Sequence, residues 1–169
     1  SAKREIVEAR DRWFLAGTVG DLGLALLAIW LVVQVNPGIP LFATMYDLAP
    51  PSGEPVAPPD VAAILVEGAH SAFQLLGVGL FLALLLRERR FVGGAVLLLV
   101  GAAALVKGIA AAVLLKPAAW ENWLAPGVSL GVAAGSLLLS VAIWLPRPVQ
   151  VTLAAIALLS SLLATLFAP

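Results

Sequence analysis

The sequence contains no cysteine, one histidine, one methionine and one tyrosine. Without cysteine there is no disulfide framework, thiol nucleophile, iron–sulfur site or thiolate-bound zinc. One histidine and one methionine leave almost nothing for a haem or copper centre. No metal or cofactor is expected. Charge is equally scarce: Asp, Glu, Lys and Arg make up 12% of the chain, about half the share of a soluble domain. Ten basic residues cancel ten acidic ones, so no basic field exists to bind nucleic acid. Catalytic signatures are missing too: there is no His-Glu-x-x-His, no Walker loop, and no Gly-x-Gly-x-x-Gly opening a helix after a strand. Ser71 adjoins His70 in sequence but points about 100° away on a helix, so no Ser-His-Asp set is credible. The segment reads as non-enzymatic.

What the chain has in excess is apolar surface. Hydrophobic residues make up 62% of its 169 positions, and mean hydropathy is +1.04. No sphere of this size has enough interior for that. The expected class is an all-α integral membrane protein, with the lipid bilayer as its solvent. A spanning helix needs about 20 mostly apolar residues, and five stretches qualify: 13–35, 61–86, 91–115, 126–145 and 149–167. Asn36-Pro37-Gly38 and Lys116-Pro117 stop two of them, since proline removes a donor and glycine frees the backbone. Pro146-Arg147-Pro148 (146–148) leaves only a tight turn, so the fourth and fifth spans form an antiparallel hairpin. Runs such as Leu80 to Leu86 lack the period-two alternation of a barrel strand.

Orientation follows from loop lysines and arginines, which stay cytoplasmic. Lys3, Arg4, Arg10 and Arg12 lie in an amphipathic segment 1–12, Arg87, Arg89 and Arg90 in the turn 87–90, and Arg147 in the last turn. The opposite side holds Lys116 alone. The N-terminus is therefore placed in the cytoplasm and the C-terminus on the far side of the membrane. Trp13, Trp30, Trp120, Trp123 and Trp144 fall near expected helix ends, as an aromatic belt requires. The external loop 36–60 is proline-rich and acidic, and reads as a spacer or partner-docking segment; a short loop 116–125 joins the third and fourth spans. No initiating Met or cleavable leader is visible, so the chain reads as part of a longer membrane protein.

Ionisable groups inside spans are costly and suggest function by default. Asp21, Glu67, His70 and Lys107 are such groups. Glu67, His70 and Gln74 stand at i, i+3 and i+7 on one helical face. Depth at 1.5 Å per residue puts Lys107 level with Glu67 and His70, and Asp21 level with Gln74. The expectation is one intramembrane polar column, either a structural Glu67–Lys107 pair, a proton or ion relay, or a polar pocket for a lipid headgroup. Gly127, Gly131 and Gly135 repeat at four, and Gly94, Gly101 and Gly108 at seven. Both stripes let another backbone approach closely. Their partner would be a helix of this chain, a missing segment of it, or another membrane subunit.

Four phrases carry a family resemblance: residues 34–42 (Gln-Val-Asn-Pro-Gly-Ile-Pro-Leu-Phe), 67–74 (Glu-Gly-Ala-His-Ser-Ala-Phe-Gln), 116–121 (Lys-Pro-Ala-Ala-Trp-Glu) and 145–150 (Leu-Pro-Arg-Pro-Val-Gln). Over roughly residues 20–169 they resemble the polytopic part of bacterial VanZ-like membrane proteins. The resemblance implies an envelope-related inner-membrane protein of unestablished biochemical activity and assigns no catalytic residue. Two other readings stand beside it. One is an accessory subunit packed in a larger membrane complex; the other is a small transporter or channel using the Glu67–His70–Lys107 column.

Overall fold

Leucine, alanine and valine dominate the helix-forming stretches, and prolines sit where helices begin. In a computed structural model, residues 12–33, 35, 61–114 and 126–166 are described. Among them the fold is all-helical, with five α-helices and no strand. These are α1 (Thr18–Val33), α2 (Val61–Leu85), α3 (Val92–Leu114), α4 (Pro126–Ala142) and α5 (Arg147–Leu166), with a 3-10 turn at Arg89–Phe91 before α3. Pro126 opens α4 and Pro148 lies in the first turn of α5, where a missing N–H costs nothing. The expected segments 1–11, 36–60 and 116–125 lie outside the described residues.

Two helices are long and apolar enough to cross a membrane: Val61–Leu85, with mean hydropathy 1.6, and Arg89–Ala110, with 2.1. α1 and α4 are apolar but shorter, at 16 and 17 residues. The expected boundaries move at three places. The first helix begins at Thr18 instead of Trp13: Arg12 and Trp13 are helical, but residues 14–16 leave the helix, Phe14 in a bridge with Leu86, and Gly17 adopts φ +96°. That extended piece lies antiparallel on the end of α2: Leu15 N–H donates to Leu85 O at 2.9 Å, and Arg87 N–H donates to Trp13 O at 3.1 Å. The fourth helix stops at Ala142 instead of Leu145, and the fifth starts at Arg147 instead of Val149.

Gln150 explains the last two shifts. Its side chain is buried, and its Nε2 donates to the carbonyls of Ala142 (3.3 Å), Ile143 (2.8 Å) and Leu145 (3.1 Å). The last carbonyls of a helix have no partner within it. Here one amide from the next helix supplies it, so α4 can end early and the hairpin can close tightly.

α2 is the central helix, packed along most of its length against α4 and α5, and more lightly against α3 and α1. Small residues allow this. A Cβ at Gly77 would lie 2.8 Å from the Leu158 side chain, and one at Gly79 would overlap Leu139. Around them Leu76, Leu80, Leu139, Ala154 and Ala157 form the main core. Leu75 and Ala103 form a second cluster with Trp30 and Val132, and Leu82, Leu86 and Val92 a third with Phe14 and Leu27.

Candidate functional site

The polar residues of α2 are positioned by its packing on α4. Gly127, Gly131 and Gly135 all face α2. A Cβ at Gly131 would overlap the Gly68 carbonyl oxygen and come within 2.6 Å of Ser71 Cβ; at Gly135 it would lie 2.9 Å from the Ala72 carbonyl. The two backbones touch along this stripe. The Glu67 carboxylate folds across it, with Oε2 over Gly127. Glu67 is half-buried. Its backbone carbonyl accepts a hydrogen bond from Ser71 Oγ at 2.9 Å.

One turn further on, His70 is 3% exposed and its Nδ1 has no hydrogen-bond partner among the described residues. Gln74, a turn beyond, is partly buried and its Oε1 likewise has none among them. Glu67, His70 and Gln74 thus share a ladder on α2, and its last two rungs carry unsatisfied atoms. Each buried polar atom left without a partner costs roughly 1–3 kcal/mol. A water or a ligand group meeting both would recover that energy.

The remaining site residues are distributed differently from the expectation. Lys107 is 3% exposed on the inner face of α3, in line with Ala103 and Ala110. The Glu67 carboxylate is folded over Gly127 of α4. Asp21 is exposed in the first turn of α1, where a carboxylate complements the helix dipole. Two residues on, Gly23 packs against Leu85. Gln74 therefore lies about three turns away from Asp21 along α2, roughly 16 Å at 1.5 Å per residue. Asp21 stands apart from the ladder. The reason is the late start of α1, which leaves Asp21 at the end of the helix.

The second glycine stripe also differs. Around Gly94 and Gly101 a Cβ would meet nothing within 4 Å, and Gly108 is half-buried. That stripe of α3 is open where the α4 stripe is filled. Gly68, Ser71 and Gln150 are structural partners that sequence reasoning did not single out. Gly68 and Ser71 flank the His70 rung, and Gln150 follows a Pro-Arg-Pro turn, the only signal it gave. Among the described residues no cluster of three His, Asp or Glu side chains is spaced to hold a metal ion.

Fold and ladder together describe a helical protein with an apolar core, a few buried polar side chains and many exposed apolar ones among its described residues. No known family model, no curated protein and no solved structure matches the chain.

Proposed function

We propose that this chain is a multi-pass helical protein of the bacterial inner membrane, VanZ-like in character. It works without covalent catalysis, with its N-terminal end in the cytoplasm. The observation that carries the reading is the broad apolar exterior around buried polar side chains. Leu97 and Leu98 are 75% and 77% exposed, and Leu137, Val141 and Trp144 point outward beside them. Inside lie His70, Lys107 and Gln150, each no more than 3% exposed. In water the outer leucines alone would each forfeit about 1.5–3 kcal/mol of burial. In lipid they are at home.

The hydroxyls support the same reading. Ser129, Ser136, Ser140 and Thr152 are exposed, yet each donates to a carbonyl of its own helix, at 2.7–3.1 Å. A surface facing lipid requires this, since nothing outside can accept the bond. The test is extraction. After an alkaline carbonate wash the chain is expected to stay in the membrane pellet and to come free only in detergent. Release by the wash alone would overturn the reading.

The unpartnered Nδ1 of His70 and Oε1 of Gln74 favour a second reading, in which the ladder carries protons or a small polar solute. Proton or solute flux in proteoliposomes, lost in His70→Ala, would support it; absence of flux would exclude it.

A further inference from the structure

At the arginine-rich end of the bundle a groove of about 440 Å³ runs between the extended N-terminal piece and α3, lined by Trp13, Phe14, Leu86, Phe91, Leu98 and Arg90. Gly94 forms part of its floor, and the space above that glycine is empty to 4 Å. Phe91 to Leu98 spans two turns of α3, so the groove extends roughly 10 Å from the arginines toward the middle of the helices. Its walls are apolar and its mouth is cationic. Arg12, Arg87, Arg89, Arg90 and Arg147 are all exposed at this end, against Glu88 and Asp21. Arg89 Nη1 donates to Trp144 O at 3.4 Å, which brings the α4–α5 turn alongside the α2–α3 turn. Arg90 sits 4.7 Å over the Phe91 ring and pairs through Nε with Glu88 at 2.6 Å, its side chain 73% exposed.

We propose that this groove binds one anionic phospholipid, an acyl chain lying along Phe14, Leu86 and Leu98 and the phosphate held at Arg90 and its neighbouring arginines. The site rests on the membrane reading, and two features decide the occupant. A bare phosphate would leave the 10 Å apolar trough uncovered. A neutral lipid would leave the arginine cluster unanswered, whereas basic pockets at the cytoplasmic ends of helices suit anionic headgroups. Gly94 is the steric requirement, because any side chain there projects into the space the acyl chain needs.

Binding to the detergent-solubilised protein, read by native mass spectrometry, tests this with three probes: phosphatidylglycerol, phosphatidylcholine with the same chains, and inorganic phosphate. Phosphatidylglycerol is expected to bind in preference to phosphatidylcholine, and Arg90→Gln to weaken it about fivefold. Gly94→Leu is expected to weaken both lipids, while Gly101→Leu, equally open but off the groove, leaves them unchanged. Thermal stability of both leucine variants should equal that of the parent, so lost binding is not lost folding. Equal binding of the two lipids, indifference to Arg90→Gln, or full displacement by millimolar phosphate would each overturn the site. A chain that leaves the membrane on carbonate washing removes the membrane reading itself. A chain that stays but shows no headgroup preference removes only the lipid site.

Discussion

At Gly131 a methyl group has nowhere to go, because the Gly68 carbonyl of α2 already occupies its position. Gly131→Leu is therefore expected to lower the detergent melting temperature by the equivalent of at least 1–3 kcal/mol, about the cost of overpacking. Gly101→Leu on open α3 is the matched control and should melt with the parent. Gln150 predicts a second loss. Gln150→Leu strands the carbonyls that its amide now serves, at a cost of about 1–3 kcal/mol. Thr152→Val removes only a hydroxyl bonded within its own helix and should be close to neutral in the same melt. The spacing of Gly127, Gly131 and Gly135 marks a close-packing face in the sequence, but nothing there names Gly68 as its partner. Depth arithmetic has the same limit. It gives height along a helix and says nothing of azimuth, so it could not tell that the Glu67 carboxylate folds over Gly127 of α4.

Among the elements, the five helices are legible because each is a long apolar run bounded by proline, glycine or charge. Their ends are not. Phe14 to Ala16 is as apolar as the helix that follows, and the bridge of Phe14 to Leu86 and the positive φ of Gly17 set it apart. A side chain at that angle costs roughly 1–2 kcal/mol, and no neighbour crowds the position. Gly17→Ala should thus destabilise through backbone strain alone. The strand-like pairing of Leu15 with Leu85 and Arg87 with Trp13 should loosen with it, seen as faster amide exchange at Leu15 and Arg87 in a detergent-solubilised sample. Unchanged exchange at both amides would separate the glycine from the pairing. The early end of α4 was equally hidden, since Ile143, Trp144 and Leu145 continue an apolar pattern that the buried amide of Gln150 interrupts.

For the molecule as a whole, topology is the feature most open to a direct check. On the proposed topology, single cysteines at Ser52 and Glu88 would report opposite faces of the membrane. A membrane-impermeant thiol reagent should label residue 52 in intact cells and residue 88 only after permeabilisation; the opposite pattern would invert the arrangement. Arg89 tied to Trp144 O places two of the three arginine-bearing segments on one face of the structure, independently of any count of loop charges.

α2 carries the buried histidine and makes its main contacts with α4 and α5. A ribosome releases α2 well before either of those helices exists. The nascent chain must therefore hold α2 with its Gly68–Ser71–Ala72 seam bare until the hairpin that covers it has been made. Assembly order differs from chain order. A chain truncated after Leu114 would keep both of the longest apolar helices and still lack the cover for α2. In pulse-chase it should be degraded faster than the full chain, although every residue it retains is unaltered.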